Sequence, residues 1–242
     1  MLVQDLTTTE FRSRLGPDAV VLVPWGIVEE HGPHLPLDTD TVQAEAVCRR
    51  AAERAGAWVL PPVHHGNCSS TRPFPGSLSL SFDTVRAVAR DLYRELARNG
   101  VTRVMVVSGH AGGGHMRALN LAGEEVVAES PNLRLMVLSD WDLLRPLTGK
   151  VVAGVQLPEK DGHGGTLETA RMLDLCPDRV KQPLPGNQPF NFPAFLVDPH
   201  PERGFPSGVM GNPSLATPEL GRALNDYIVE RLVELIQSLR KL

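Results

Sequence analysis

Between residues 29 and 40 the chain reads Glu-Glu-His-Gly-Pro-His-Leu-Pro-Leu-Asp-Thr-Asp, crowding carboxylates and two imidazoles, His31 and His34, into a dozen positions. Gly32, Pro33 and Pro36 hold this segment to an irregular path. Oxygen and imidazole donors without thiolates suit zinc, manganese or iron, and they do not describe a structural zinc finger. Carboxylates this dense beside an apolar strand need a compensating cation once they are buried. Spacing alone satisfies no stand-alone metal motif, and a solvated acidic loop with incidental histidines fits it equally well.

Two further loops favour chemistry. His110 lies in Ser108-Gly109-His110-Ala111-Gly112-Gly113-Gly114, after an apolar run and before a helical one, where glycines let the backbone approach a ligand. A phosphate cradle is the competing reading of such a turn. The Lys-Ser/Thr of a P-loop is absent, and no spaced dinucleotide fingerprint supports a nucleotide. In His163-Gly164-Gly165-Thr166-Leu167-Glu168-Thr169, His163 precedes a helix and Glu168 lies about one turn inside it. Glycines beside two histidines, each at a loop-to-helix turn, favour one shared site. Cys68, in a loop rich in Gly, Asn and Ser, would be the nucleophile of a cysteine hydrolase, but nothing local supports that role.

The elements that must position these loops are legible from periodicity. Ala19–Pro24 is a β-branched run expected to form a buried strand, and Trp58–Val63 a second. A helix is expected over 41–54 with Gly56 as its stop. Another spans 83–99, with Val85, Val88, Leu92, Tyr93 and Leu96 on its core face. Strands at 101–107 and 133–138 bracket a helix over 115–129, and a further helix covers 166–175. The last helix opens at Thr217-Pro218-Glu219, with Leu220, Leu224, Ile228, Leu232, Leu235 and Leu239 facing the core. This alternation predicts one α/β domain, residues 1–242, with a parallel sheet covered by helices and chemistry carried on long loops. The Pro-rich stretch 183–206, with Phe190, Phe192, Phe195 and Phe205, is expected to be a subunit contact, a lid or a loop packed on its own domain.

Composition excludes other classes. A formal charge of −4 over 242 residues leaves no basic footprint for nucleic acid. No apolar run is long enough to span a bilayer, and the start, Met1-Leu2-Val3-Gln4-Asp5, shows no secretion signal. Three cysteines without close pairing, Cys48, Cys68 and Cys176, suggest neither disulfides nor a thiolate site, so a cytoplasmic location is expected.

Taken together, these loops resemble the creatininase family. Its first signature, Glu-Gln-His-Gly-Pro-His-Leu-Pro-Leu with a following Asp, is matched by Glu29, His31 to Leu37 and Asp40, with Glu30 in place of Gln. Phe74-Pro75-Gly76-Ser77 is similar to its Phe-Pro-Gly-Thr stretch, Gly109-His110 to its Asn-Gly-His loop, and His163-Gly164-Gly165 with Glu168-Thr169 to its His-Ala-Gly and Glu-Thr motifs. Gly208 to Thr217 resembles its late Gly-x-x-Gly-Asp-Pro segment. The resemblance implies a three-layer α/β/α domain with a mainly parallel sheet. It also implies two divalent metal ions per chain, zinc and/or manganese with iron an option, and a homo-oligomer, a hexamer in the family.

By the same resemblance, Glu29, His31, Asp40 and His110 are metal ligands, with Asp40 bridging. Creatininase adds a glutamate two residues after the glycine-flanked histidine. Gly112 stands there in this chain, and Glu168 is expected to fill the vacancy. The implied activity is hydrolysis of a C–N amide bond by a hydroxide bridging the two metals, with His163 protonating the leaving nitrogen and Glu168 beside it. Ser77, Trp25 and His34 are the expected substrate contacts. Creatinine is disfavoured, because Leu157-Pro158-Glu159-Lys160 and Ala111 occupy neighbourhoods that hold aromatic residues in creatininase, although Trp25 or Trp141 could supply an aromatic wall. A cyclic amide, a formamide and a small peptide stay open as small-molecule substrates. Formylamino-pyrimidine deformylases and mycofactocin precursor peptidases usually carry Asn where this chain has Ser108 and His115. The rival reading is a catalytically degenerate, metal-stabilised binding or scaffold protein.

Overall fold

The computed structural model describes residues 1–242. Four strands, β1 (Val20–Trp25), β2 (Trp58–Val59), β3 (Arg103–Ser108) and β4 (Arg134–Ser139), form one parallel sheet in the order β2-β1-β3-β4. Successive side chains of a strand point to opposite faces, so each strand feeds two cores. Val20, Leu22, Met105 and Val107 face helices α2 (Thr39–Ala55), α6 (Thr166–Leu175) and α7 (Pro218–Arg240). Val21, Val23, Val104 and Val106 face α3 (Phe82–Arg98) and α4 (Gly113–Glu129), with Phe11 of α1 (Thr8–Arg14) packed at the margin. The result is the three-layer α/β/α arrangement with a parallel sheet. The short α5 (Asp140–Leu144) follows β4 directly, and β5 (Val151–Val152) pairs with β6 (Val155–Gln156) in a small antiparallel hairpin. No helix is long and apolar enough to cross a membrane.

Several expectations shift for local reasons. The second strand pairs only at Trp58 and Val59, because Pro61 and Pro62 have no N–H to give the ladder; Val63 rejoins as a single bridge to Trp25. On α3, Val88 is exposed and Ala89 takes the buried position, so the apolar stripe is narrower than the periodicity suggested. On α7, Ile236 is fully buried while Leu235 sits at the edge. Helix α2 starts at Thr39, which moves Asp40 from a loop into its first turn, where the positive end of the helix dipole favours a carboxylate. Helix α4 starts at Gly113 and takes His115 into its first turn.

Candidate metal centre

Functional side chains of parallel α/β sheets gather beyond the carboxyl ends of the strands. Here β1 leads into the Glu29–Asp40 segment and β3 into the His110 loop, while the loop before α6 brings in His163 and α6 itself Glu168. The polar groups they deliver lie under the surface. Glu29 and His31 are fully buried, and Asp40 and His110 expose 2% and 7% of their surface.

Three ligand-sized groups result: Glu29 with Asp40 and His110; His31 with Asp40 and Glu168; and Glu29 with His31 and His163. Asp40 belongs to the first two and faces both. Its Oδ1 is 3.0 Å from His31 Nε2, and its Oδ2 is 3.3 Å from His110 Nδ1. Glu29 Oε1 lies 2.8 Å from His110 Nδ1 and 3.7 Å from His163 Nδ1. Glu168 Oε2 is 3.7 Å from His31 Nε2 and accepts the Gly164 N–H at 2.7 Å.

Each imidazole has its outer nitrogen tied to a main-chain carbonyl, which fixes the tautomer and aims the inner nitrogen at the carboxylates. His31 Nδ1–H donates to Glu29 O at 3.1 Å, His110 Nε2–H to Asn67 O at 2.9 Å, and His163 Nε2–H to Glu30 O. Thr71 donates its hydroxyl to Glu29 Oε2. Glu29 Oε1 and Asp40 Oδ2, both buried, have no hydrogen-bond partner beyond the His110 imidazole that they face. Orphaned buried carboxylate oxygens, facing imidazole nitrogens with no thiolate nearby, fit a divalent cation well.

Without a cation, protons balance the charge. Burial would lower the His31 pKa, but Asp40, Glu168 and Glu29 raise it to about 10. His110 is likewise pushed well up by Glu29 and Asp40 against the pull of burial. For His163, burial and the His31 ring 4.1 Å away act downward, yet Glu29, Glu30 and Glu168 prevail and the net direction is up. Burial raises Glu29 and Asp40, and their histidine partners more than reverse it, holding Asp40 well below the carboxylate range. Glu168 is raised, chiefly by burial and by Asp40, despite His31 and His163.

Above these groups opens a cavity of about 520 Å³, floored by the carboxylates with His110 and His163 and walled by Trp141, Arg145, Asn120 and Met116. The three expected substrate contacts do not line it. Trp25 is fully buried among the apolar residues under the site, its indole N–H donating to His65 O at 2.9 Å. His34 is buried with Nε2 2.8 Å from Thr169 Oγ1, and burial followed by the His31 charge lowers its pKa to about 4. Ser77 Oγ accepts the Glu30 N–H at 3.1 Å, so it shapes the ligand segment from behind. All three support the wall, and Trp141 is the aromatic residue that reaches the cavity.

The Creatininase family, described as creatinine amidohydrolase, matches residues 4–236. The chain belongs to the creatininase family. Creatinine amidohydrolase of Pseudomonas putida is 31% identical over 256 residues, covering 98% of this chain and 96% of that protein. The mycofactocin precursor peptide peptidase of Mycobacterium ulcerans (strain Agy99) is 31% identical over 232 residues, 89% of this chain and 84% of that protein. A crystal structure of creatinine amidohydrolase superposes with a TM-score of 0.87 at 30% identity, covering 98% of this chain and 96% of the other. Solved creatininases also include a variant in a Zn–Zn form and a Mn form, with TM-scores of 0.83 and 0.82 at 29% and 30% identity, each spanning 98% of this chain and 97% of its own.

Glu168, expected to fill the place left by Gly112, lies with His31 and Asp40 in one ligand-sized group. A Cβ on Gly112 would strike the His110 ring, so position 112 has no room for a side chain while that ring keeps its place. The Pro-rich stretch contributes Phe205, fully buried between Phe74 and Phe192, with its ring 6.5 Å from that of His163. Thr71 and Asn67 were not singled out in the sequence. A polar loop between β2 and α3 was the available signal, without any means of choosing among its residues.

Proposed function

We propose that this chain is a metal-dependent amidohydrolase that cleaves a C–N amide bond at two divalent ions, one held by Glu29, Asp40 and His110 and the other by His31, Asp40 and Glu168. The observation that carries the reading is that two ligand-sized groups share a single carboxylate, Asp40, with one oxygen turned to each. The Zn–Zn and Mn forms of related creatininases support zinc or manganese as the occupants. Bound there, such ions would activate water and polarise the amide carbonyl.

The chain's own residues supply orientation and a proton. Thr71 holds the Glu29 carboxylate, and Gly164 N–H holds that of Glu168. His163 has its Nε2–H committed to Glu30 O, which leaves Nδ1 toward Glu29 and the cavity as the atom that passes a proton to the leaving nitrogen. Trp141 and Arg145 border a space larger than a lone heterocycle requires, which keeps formamides and short peptides among the candidate substrates with cyclic amides. The same reading includes assembly into a homo-oligomer. The exposed Phe192, Phe195, Leu196 and Val197 support an apolar surface that gains from being covered.

Metal content per chain tests the proposal. Native protein should carry two ions and Glu168→Ala close to one, and manganese- or zinc-loaded native protein should hydrolyse members of an amide panel. One ion or none in the native chain after incubation with both metals would overturn it in favour of a degenerate binding protein.

A further inference from the structure

A buried hydrogen-bond circuit behind His110 is not used by the chemistry above. Ser108, the last residue of β3, donates its hydroxyl to His110 O at 2.7 Å and accepts the His110 N–H at 3.2 Å. That commits its only proton, so the His115 Nε2 at 3.2 Å must be the donor of the third bond to Ser108 Oγ. The other nitrogen of His115, Nδ1, then has a free lone pair and accepts the Asn67 N–H at 3.4 Å. Asn67 closes the ring through its carbonyl, which takes the His110 Nε2–H at 2.9 Å. Ser108 and His115 are fully buried, and the His115 ring packs edge-on against His110 with centroids 5.1 Å apart.

The circuit works only with a neutral imidazole at 115, one nitrogen donating and the other accepting. Burial, with the His110 charge next in size, lowers the His115 pKa to about 3, in keeping with that state. The loop at Gly66 fits the ring closely: a Cβ on Gly66 would come within 3.0 Å of His115 Nδ1.

We propose that Ser108 and His115 form a matched pair of positioning residues that lock the Asn67 peptide and the His110 backbone, and so hold His110 Nδ1 in place as a metal ligand. This rests on His110 being a ligand, and it goes beyond that assignment. The reach of the pair is divided unequally, a short hydroxyl from β3 against a long imidazole from α4. Two asparagines would offer the same donor and acceptor with the reach shared evenly, so exchanging both residues should preserve the circuit while exchanging either alone should break it.

Zinc affinity, measured by competition with a chelator on intact protein, tests this without an activity assay. The Glu168→Ala chain isolates the site that contains His110. Adding His115→Ala to it should weaken zinc by about 10- to 100-fold, the usual consequence of losing a group that orients a ligand. Ser108→Asn or His115→Asn singly should each weaken zinc, and the double variant should return close to the parent, a strongly non-additive result. Ser108→Ala, which removes only the hydroxyl, serves if His115→Ala does not fold. If Glu168→Ala itself binds no zinc, the ligand assignment fails, separately from the pairing. If Glu168→Ala binds zinc but the single exchanges leave its affinity unchanged, or their effects simply add, the matched-pair role is overturned.

Discussion

Loading the site with metal should expel protons, and the number follows from the geometry. In the metal-free protein, His31 carries a proton at neutral pH because Asp40, Glu168 and Glu29 overcome burial and raise its pKa to about 10. His110 is raised well above its ordinary value by Glu29 and Asp40. Their inner nitrogens, His31 Nε2 and His110 Nδ1, are also the atoms that would ligate, so each ion must displace one proton. Raising His31 from about 6.5 to about 10 corresponds to roughly 5 kcal/mol of preference for the protonated form, at about 1.4 kcal/mol per pH unit. The ion that replaces this proton should therefore bind roughly 150-fold more weakly at pH 7.5 than at pH 10, before any competition from hydroxide. The sign for folding runs the other way. The folded value exceeds the unfolded one, so the pairs around His31 stabilise the metal-free protein fully below pH about 6.5. That stabilisation fades as pH climbs toward 10. Titration calorimetry of zinc into metal-free protein, repeated in buffers of different ionisation enthalpy, counts the protons. About two per fully loaded chain is expected near pH 7, and about one for Glu168→Ala if it takes a single ion at His110. Release of no protons, with an affinity independent of pH between 6.5 and 8, would mean that the imidazoles are neutral before metal arrives and would refute the reasoning.

Other expectations follow from single contacts. His163→Gln should lower turnover by about 10²- to 10⁴-fold while leaving metal content at the native level, separating a proton donor from a ligand; loss of an ion would identify His163 as a ligand instead. Gly112→Ala should reduce zinc affinity, since its Cβ would meet the His110 ring, and unchanged affinity would show that the ring can move aside. Arg171, buried with Asp140 at 2.7 Å and with Asn225 at 3.0 Å, ties α6 to α5 and α7. Arg171→Met should cost about 3–5 kcal/mol in urea unfolding near pH 8. The cost should shrink below pH 6, because Asp140, raised by burial to about 6 despite Arg171, then takes up a proton; a loss independent of pH would contradict this. Cys48 and Cys68 are buried with their thiols pushed upward, so activity should survive alkylating reagents and fail with chelators, and the reverse pattern would point to a cysteine hydrolase.

The local parts of this protein could be read from sequence because their causes are local. Runs such as Val101–Val107 and the stripe Leu220, Leu224, Ile228, Leu232 announce a strand and a helix through their own period. Their alternation implied a parallel sheet, and motif resemblance supplied the family and the expected ligands Glu29, His31, Asp40 and His110. Side-chain partnership was beyond that reach. Which carboxylate joins which imidazole depends on how loops separated by up to 139 positions approach one another over the carboxyl ends of β1 and β3, and only that approach groups Glu168 with His31 and Asp40. Burial decided the rest. Trp25, His34 and Ser77 have side chains suited to substrate contact, but the chain folds them behind the wall, while Trp141 of α5 and Arg145 just beyond its end come to face the cavity. Asn67 meets His110 through its main-chain carbonyl, and a main-chain carbonyl carries no signature in the residue that bears it.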